Sequence, residues 1–363
     1  MIALSFAAAA LILSSASTEV PSFDAYPIQM VIDPAEGPAT GSVILVAGTG
    51  AFDRDVAFGR SGTERDKLFA DLAQRMTRRG LNVVRFDRRG VRYGAEGGER
   101  LDSNAVPGLT AEAFSRDVEA VHDRVRQTPG RGGQCVVFLA HSEGAAHVAG
   151  LAERGAPAPA LVLGVGAPME SKVAGVKWQS TGRDADSLQM MDADGDGVTT
   201  NAEVEAHWRK TPSGVFGRLD LLLQADGAWT AEDIEAVRTT QAGLYEQTKA
   251  AAMAMADDVP YPNAAAPAFS YGWWKSWFTD DVPLAERFAR WDAPLVLHYG
   301  SLDSQVREEP QRTAVEGVIP PNRVRFISHA DRGHSLGADH LFGPMDEAIA
   351  DQIADQAAAA CGL

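Results

Sequence analysis

Ala140-His141-Ser142-Glu143-Gly144 follows the apolar run 135–139 and precedes the alanine-rich segment 145–152. This order predicts a strand, a sharp turn and a helix, which is the setting of a nucleophile elbow, where a serine Oγ projects above a sheet. Small residues must flank such a serine because the strand and the helix approach each other closely. Ala140 and Gly144 meet that requirement, although a similar pentapeptide also occurs in ordinary turns. Ser142 is the candidate nucleophile.

A glycine-containing loop, Gly48-Thr49-Gly50 and onward to residue 55, follows the earlier apolar run 42–47. In hydrolases with a nucleophile elbow, a loop after an early strand supplies the second oxyanion donor. A phosphate-binding loop is the alternative, but the Gly-Lys-Ser/Thr ending that would bring a lysine to a phosphate is absent. The predicted oxyanion donors are therefore the backbone N–H groups of Glu143 and of Thr49 or Gly50.

The acid of a catalytic triad is predicted in the loop that follows the strand-like run 294–299. Asp303 lies in that loop, and an acid just beyond a strand end can orient a catalytic histidine. An aspartate that only caps the next helix is the alternative.

The catalytic base is predicted after the last strand-like run, 324–328. His334 follows a glycine in a loop, which would let its ring reach Ser142. His329, nearer the strand, and His340, further along the chain, are the alternatives. The chain order serine, aspartate, histidine is that of the α/β hydrolases.

Together these motifs resemble the α/β-hydrolase-fold serine hydrolases, in particular their secreted esterase and acyl-hydrolase-like branch. Proteins of that branch carry a Gly-x-Gly-x-x-Asp-Arg-Asp loop, an Asp-x-Arg-Gly turn, a His-Ser-Glu-Gly elbow and a Gly-x-x-Asp-x-x-Val acid loop. Here these motifs occupy residues 48–55, 87–90, 141–144 and 300–306. Ala47 stands where that branch usually has a histidine. The resemblance covers about residues 42–170 and 270–355, and it implies hydrolysis of a small-molecule carboxylic ester through an acyl-enzyme.

The alternation of apolar runs and helical patterns predicts a doubly wound, mostly parallel α/β sheet. The predicted strands are 42–47, 81–87, 135–140, 160–166, 294–299 and 323–328. The predicted helices are 63–79, 110–127, 143–154, 304–317 and 339–358. The gap between the fourth and fifth strands is too long for a loop. It predicts a helical cap at about residues 170–290, inserted into a catalytic domain of residues 17–169 and 291–363.

The predicted cap contains an acidic loop, residues 192–203, with the pattern of an EF-hand. Carboxylates at loop positions 1, 3, 5 and 12 and glycine at position 6 are the pattern that binds Ca²⁺. A solvated acidic turn is the alternative. The predicted ligands of a structural Ca²⁺ are Asp192, Asp194, Asp196 and Glu203, with the Val198 carbonyl and, through a water, Thr200.

A second, degenerate loop is predicted at about residues 222–233, because Gly227 lies 30 residues after Gly197. Its positions 1 and 3 would be Leu222 and Gln224, which removes two anionic ligands. We expect this loop to bind no metal and to pack against the first one.

Three tryptophans, Trp273, Trp274 and Trp277, lie close together near the end of the predicted cap. Trp273 and Trp277 share a helix face at spacing i, i+4. They either pack the cap onto the body or line an acyl or aryl pocket over Ser142.

Composition limits the classes of partner. The chain has 363 residues, 45% of them hydrophobic, which is enough for a large core and an insertion. A net charge of −16 and a pI near 4.9 argue against nucleic acids and anionic membranes as partners. No stretch after the N-terminus is long and apolar enough to span a bilayer.

Ester turnover is favoured over peptide or amide hydrolysis because no appended domain for holding a peptide is evident. A non-catalytic calcium-binding protein on the same scaffold is a further alternative.

Residues 1–16 resemble a signal peptide that is cleaved after Ala16, which predicts a secreted or periplasmic protein. An exported protein can form disulfides. Cys135 is at the start of the predicted elbow strand, and Cys361 is at the end of the last helix. Both should lie at the ends of the strands that face away from the active site. A disulfide between them is favoured over a buried thiol and a thiol in a frayed tail.

Overall fold

The computed structural model describes residues 16–57, 63–95, 97–210, 219, 222–262, 269–338 and 343–362. Within these ranges the strands are β1 (Ala16–Pro21), β2 (Pro27–Asp33), β3 (Gly41–Val46), β4 (Leu81–Phe86), β5 (Val136–His141), β6 (Leu161–Val165), β7 (Thr199–Thr200), β8 (Ala228–Trp229), β9 (Leu295–Gly300) and β10 (Val324–His329). The helices are α1 (Leu68–Thr77), α2 (Ala111–Arg126), α3 (Arg131–Gln134), α4 (Gly144–Glu153), α5 (Lys172–Thr181), α6 (Arg183–Met191), α7 (Asn201–Lys210), α8 (Ala231–Met253), α9 (Tyr271–Thr279), α10 (Leu284–Phe288), α11 (Glu308–Val315) and α12 (Glu347–Ala360). Short 3₁₀ helices cover Glu64–Asp66, Gly97–Arg100, Ser103–Gly108 and Pro321–Arg323.

Eight of the described strands form one sheet, in the order β1-β2-β4-β3-β5-β6-β9-β10. The strands from β4 to β10 in this order are parallel, and β1 and β2 form an antiparallel hairpin at one edge. Every residue of β3, β5 and β6 is buried. Helices cover both faces of these strands, which explains why they read as continuous apolar runs. The predicted doubly wound, mostly parallel sheet is confirmed.

The six predicted strands match observed strands to within one residue at each end, but three predicted helices begin later than expected. Helix α1 starts at Leu68 and not at 63, and the short 3₁₀ helix Glu64–Asp66 precedes it. Helix α11 starts at Glu308 and not at 304, because the Asp303 carboxylate holds the two backbone N–H groups of Gln305 and Val306 in a turn. Helix α12 starts at Glu347 and not at 339, after Asp346 caps its first turn. Residues 339–342, including His340, lie outside the described residues.

The core of the body has two layers, one on each face of the sheet. On one face α2, α4 and α10 pack against the strands, and on the other face α1 and α12 do so. The buried side of α4 is rich in alanine and glycine. The helix can therefore lie close to the sheet directly after Ser142, as an elbow requires.

The disulfide between Cys135 and Cys361 is present, as predicted, and it joins positions 226 residues apart with a Cα–Cα distance of 5.7 Å. It ties the start of β5 to the end of α12. This is the N-terminal end of β5, whereas Ser142 follows the C-terminal end of the same strand. Gly41 leaves room for it, since a Cβ there would lie 2.2 Å from the Cys361 Sγ. Residues 1–15 of the predicted signal peptide lie outside the described residues, and Ala16 is the first residue of β1.

Residues 170–290, which we call the helical segment, contain α5 to α10 and the two-stranded ribbon of β7 and β8. Around the ribbon lies a small separate core, made of Ala185, Leu188, Met191, Val204, Leu222 and Ile234. Helix α10 differs from the rest, because Leu284 and Phe288 belong to the core of the body. No helix in the described ranges combines the length and the apolar composition needed to cross a bilayer.

Candidate active site

Ser142 lies on the turn between β5 and α4, with a φ of +54°. This left-handed conformation is rarely adopted by residues other than glycine, and a strained serine of this kind is the mark of a nucleophile elbow. Two glycines make room for the turn. A Cβ on Gly48 would lie 2.7 Å from the Ser142 Cβ, and one on Gly144 would lie 2.3 Å from the Val46 carbonyl oxygen. The turn therefore depends on close approach between β5, α4 and the loop after β3.

Asp303 and His334 are brought together although they are 31 residues apart in the chain. The His334 Nδ1 lies 2.8 Å from the Asp303 Oδ2, and both residues are buried. The other carboxylate oxygen, Oδ1, accepts the N–H groups of Gln305 at 2.7 Å and Val306 at 2.9 Å. A carboxylate held in this way favours a proton on Nδ1, which leaves Nε2 as the basic nitrogen of the ring.

His329, the alternative base, occupies a different place. It is the last residue of β10, and its Nε2 lies 3.0 Å from the Nδ1 of His298. The two rings stack with centroids 5.3 Å apart. The cavity that holds Ser142 is lined by His334 and not by His329 among the described residues.

A cavity of about 560 Å³ opens over the elbow. Ser142, His334, Thr49 and Glu143 line it, so the candidate nucleophile, the candidate base and two of the predicted oxyanion residues share one space. Gly50 is not among its lining residues; a Cβ there would instead lie 2.5 Å from the Phe52 ring. The structure therefore brings Thr49, rather than Gly50, to the cavity.

The three tryptophans form one wall of the cavity. Trp273, Trp274 and Trp277 all line it, and they all belong to α9 of the helical segment. Trp273 is also buried against Phe269, with ring centroids 4.0 Å apart. The two predicted roles, packing and lining the pocket, are therefore combined in the same aromatic cluster.

Many solved structures have the same architecture. The three that follow are 13–14% identical to this chain in sequence. A thermophilic esterase from Thermogutta terrifontis, with malate bound, is similar with a TM-score of 0.52 and 13% identity over 95% of this chain and 99% of that one. A proline iminopeptidase from Mycobacterium smegmatis gives a TM-score of 0.51 and 14% identity over 95% and 99%. A monoacylglycerol lipase from Paleococcus ferrophilus gives 0.50 and 14% over 92% and 99%. The chain has the α/β-hydrolase fold.

Sequence comparison adds no closer relationship. No protein-family model matches the chain, and no curated protein matches it. At such low identity the structural similarity establishes the α/β-hydrolase fold alone, so the chemistry must be argued from the side chains of this chain.

The Glu143 carboxylate is a feature of the candidate site that could not be anticipated from the sequence motifs, in which only its backbone N–H has a role. Its Oε2 accepts the Thr49 hydroxyl at 2.9 Å and Arg88 Nη2 at 3.1 Å, and its Oε1 accepts the Trp273 indole N–H at 2.6 Å. Burial alone would raise the pKa of Glu143. Arg88, His147 and the hydrogen bonds from Trp273 and Thr49 outweigh burial and lower it to about 2. The carboxylate is therefore ionised in the interior.

Two further residues of the site were not predicted. Arg88 lies in the Asp-x-Arg-Gly turn, at the position that the motif leaves open. The signal for it was Glu143 beside the candidate nucleophile, because a buried carboxylate needs a cationic partner. Lys172 also lines the cavity, and its Nζ lies 3.1 Å from the Asp280 carboxylate. No sequence motif marks Lys172.

His141, which precedes the candidate nucleophile, is buried beside the candidate base. Its ring centroid lies 5.0 Å from that of His334, and its Nε2 lies 3.3 Å from the Ser335 Oγ. Burial lowers the pKa of His141 well below its usual value, and the nearby His334 lowers it further. His141 therefore stays neutral in this position.

The acidic loop brings three of its predicted ligands together. Carboxylate oxygens of Asp192, Asp194 and Asp196 lie within 4.8 Å of one another. Glu203 is not part of that group; it accepts the backbone N–H groups of Ala193 and Thr200, each at 2.8 Å. Those N–H groups, with the Thr200 hydroxyl, lower the pKa of Glu203.

The other two predicted ligands lie in the same loop. Val198 donates its N–H to Asp196 at 2.8 Å. The Val198 carbonyl oxygen, which is the predicted ligand, takes no part in that bond. The Thr200 hydroxyl donates to Glu203 at 2.8 Å.

The second loop pairs with the first through the ribbon of β7 and β8. Thr199 is paired with Trp229, and these are position 8 of the first and second loops when counted from Asp192 and Leu222. Leu222 is buried, and its carbonyl oxygen accepts the Trp229 indole N–H at 2.8 Å. The first position of the second loop therefore contributes to packing.

Proposed function

We propose that this protein is a serine hydrolase that cleaves small carboxylic esters, with Ser142, His334 and Asp303 as its catalytic triad. The observation that carries the proposal is the combination of a strained serine on an elbow and a buried His–Asp pair, with the serine and the histidine facing the same cavity. The similar structures of an esterase and a lipase agree with this proposal.

The proposed reaction has two steps. The Ser142 Oγ attacks the ester carbonyl carbon while His334 Nε2 accepts the hydroxyl proton, and the same proton then passes to the departing alcohol. A water molecule next gives its proton to His334 and attacks the acyl-enzyme, which releases the carboxylic acid and restores Ser142. Asp303 keeps the ring of His334 oriented and stabilises its charged form in both steps.

The negative charge that develops on the carbonyl oxygen needs donors in fixed positions. We assign this role to the backbone N–H groups of Glu143 and Thr49. Both residues line the cavity, and the side chain of one is hydrogen-bonded to the side chain of the other. Gly50 is less suited to this role, because the described cavity does not reach it.

Esters are favoured as substrates over peptides. The cavity has an apolar wall of tryptophans, which suits an acyl or aryl group. Hydrolysis of an amide or a peptide is the second candidate, and it is favoured by the similarity to a proline iminopeptidase. A non-catalytic calcium-binding role is the third candidate, because the chain also carries the acidic loop.

We also propose that the acidic loop binds a structural Ca²⁺. Asp192, Asp194 and Asp196 would supply carboxylate oxygens, Val198 its carbonyl oxygen and Thr200 a bridging water, while Glu203 would turn from its backbone partners to the ion. Converging carboxylates fit a hard cation, which would relieve their mutual repulsion. The ion would support the helical segment, as a cap over the site, and take no part in the chemistry.

A secreted or periplasmic location is part of the proposal. The disulfide between Cys135 and Cys361 supports it, because such bonds persist mainly in oxidising compartments. The predicted signal peptide, residues 1–16, supplies the export route.

A fluorophosphonate probe and a panel of p-nitrophenyl esters of increasing acyl length test this function. We expect covalent labelling of the wild type, turnover that depends on acyl length, and neither activity in Ser142→Ala. Ser328→Ala is the matched control, since Ser328 is exposed on β10 and its hydroxyl bonds only to Glu308 among the described residues. Turnover of p-nitroanilides in preference to esters would support the peptidase alternative, and absence of labelling would support the non-catalytic one.

A further inference from the structure

Arg88 lies behind the proposed oxyanion hole and is bonded to both segments that form it. Its Nη1 donates to the Gly48 carbonyl oxygen at 2.5 Å, and its Nη2 donates to the Glu143 Oε2 at 3.1 Å. The guanidinium is buried, with its Cζ 3.9 Å from the centre of the Phe114 ring. A planar group with separate, fixed donors can bridge two segments in a way that a lysine ammonium cannot.

The bond from Arg88 to Gly48 sets the direction of the next backbone N–H. The Gly48 carbonyl and the Thr49 N–H belong to one planar peptide unit, and in a trans peptide they point in opposite directions. Since the carbonyl is held on Arg88, the Thr49 N–H points away from Arg88. A cationic partner on the oxygen also polarises the amide, so that the N–H becomes a stronger donor.

The Glu143 carboxylate completes the arrangement. It accepts from Arg88 and, on the same oxygen, from the Thr49 hydroxyl at 2.9 Å. Glu143 would therefore supply one oxyanion N–H from its backbone. Its side chain also holds Thr49, which would supply the other N–H, and Arg88, which orients that N–H. Both side chains of the Arg88–Glu143 pair are almost fully buried, so water does not compete for these bonds.

We propose that Arg88 and Glu143 are positioning residues for the oxyanion hole. Neither side chain is bonded to a reacting atom; the pair holds the Thr49 N–H where the transition-state oxyanion forms. A donor placed for the transition state raises kcat and has little effect on KM. This inference rests on the proposed ester hydrolysis at Ser142.

A purely structural ion pair is the competing explanation. Removing one member would leave a buried charge without its partner, which destabilises a protein whatever the role of the pair. The informative variant therefore removes both charges at similar volume, as in Arg88→Met/Glu143→Leu. The control is Arg89→Met/Asp117→Leu, because Arg89 and Asp117 form a second buried pair at 2.6 Å. Arg89 also bonds to the partly exposed Asp24, and neither member of the pair is hydrogen-bonded to Gly48 or Thr49 among the described residues.

The experiment measures melting temperature, kcat and KM for p-nitrophenyl acetate, and the Ki of a trifluoromethyl ketone that forms an oxyanion with Ser142. Arg88→Met/Glu143→Leu should lower kcat about 10- to 100-fold, which is less than or equal to the loss of one oxyanion donor. The Ki of the ketone should rise by a similar factor. KM for p-nitrophenyl acetate should change by less than about threefold, because its two-carbon acyl group makes little use of the tryptophan wall that Glu143 holds through Trp273. The control pair should alter the melting temperature and leave kcat, KM and Ki near wild type.

Arg88→Lys provides a second test if the neutral pair does not fold. It keeps a positive charge beside Glu143 but cannot bridge to the Gly48 carbonyl with the same geometry, so kcat should fall while the fold is retained. The proposal is overturned if either variant folds with wild-type kcat and Ki, or if kcat falls only in step with KM. A wild-type protein that neither turns over esters nor reacts with fluorophosphonate would instead refute the proposed function itself.

Discussion

The indole Nε1 of Trp273 donates a hydrogen bond to the Glu143 Oε1 at 2.6 Å. One side chain of the helical segment is thus bonded directly to the residue that follows Ser142. The acceptor is ionised and buried, and hydrogen bonds to a charged group are stronger than those between neutral groups. This bond joins the tryptophan wall of the cavity to the elbow that carries Ser142.

Replacing Trp273 with phenylalanine should therefore affect kinetics as well as stability. The ring stack on Phe269 is largely retained, but the bond to Glu143 is lost. We expect KM for long-chain p-nitrophenyl esters to rise several-fold and the free energy of unfolding to fall by about 1–3 kcal/mol. Steady-state kinetics and chemical denaturation measure both effects.

The control for Trp273→Phe is Trp291→Phe. Trp291 also loses one indole bond, to the Ala156 carbonyl at 2.7 Å, but it lies in the core of the body. Its loss should reduce stability and leave KM unchanged. Equal kinetic effects of the two substitutions would contradict a special role for the Trp273 contact.

Loss of either member of the proposed Ser–His unit should nearly abolish ester turnover. Ser142→Ala and His334→Ala should each lower kcat by several orders of magnitude, and the double variant should be little worse, because the two residues act together. His329→Ala should be mild, since His329 is bonded to His298 and lies outside the cavity. If His329→Ala alone silenced the enzyme, the assignment of the base would be wrong.

Acid should destabilise the protein through His122. Burial and the nearby Arg126 lower its pKa to about 4, against 6.5 for the exposed residue. The unfolded chain therefore binds the proton more readily than the folded one, so stability is complete above pH 6.5 and is lost as the pH falls towards 4. This residue alone could account for roughly 3 kcal/mol at pH 4.

Chemical denaturation of His122→Leu at several pH values tests that expectation. The variant should match or exceed wild-type stability at pH 8, because neither ring nitrogen has a hydrogen-bond partner among the described residues. Its stability should also decline less between pH 6.5 and 4. His298, whose pKa burial also lowers to about 4, contributes in the same direction and leaves a residual slope. Identical slopes for wild type and His122→Leu would refute the prediction.

The disulfide should stabilise the protein without affecting catalysis. Cys135→Ala/Cys361→Ala should lower the free energy of unfolding by roughly 3–5 kcal/mol, because the bond closes a very long loop in the unfolded chain. The kcat of the folded variant should remain near wild type, since the bond lies at the end of β5 opposite Ser142. Thiol titration of denatured, unreduced wild type should find no free thiol, and two per chain would count against the bond.

Calcium should stabilise the helical segment and leave the chemistry intact. EDTA should lower the melting temperature, because an ion that binds the folded state preferentially stabilises it by mass action. Fluorophosphonate labelling of Ser142 should continue in EDTA. Asp192→Ala/Glu203→Gln should reproduce the effect of EDTA and remove the response to added calcium.

Asp226→Asn is the control for the calcium prediction, because Asp226 occupies the corresponding position 5 of the second loop. It should retain the calcium response of the wild type. Titration calorimetry that detects no binding at millimolar calcium would reduce the first loop to an acidic turn. Loss of Ser142 labelling in EDTA would mean that the ion belongs to the active site.

Several features could be predicted from sequence because they depend on local pattern. The apolar runs of β3, β5 and β6 indicated buried parallel strands, and small residues around Ser142 indicated the elbow. The pairing of Cys135 with Cys361 could also be predicted, since the direction of the parallel strands determines at which end of the strands each cysteine lies. The start of α11 did not follow, because the Asp303 carboxylate competes for the N–H groups of its first turn.

Sequence by itself determined the class of the fold, the candidate nucleophile and the acidic loop, because each is encoded by neighbouring residues or by a regular period. Only the tertiary structure decided that His334, rather than His329, lies beside Asp303 and faces the cavity. It alone also joined Arg88 to Glu143, 55 residues away. Contacts between distant segments depend on how strands and helices pack and on which rotamers the packing allows, and the periodicity of a sequence carries neither.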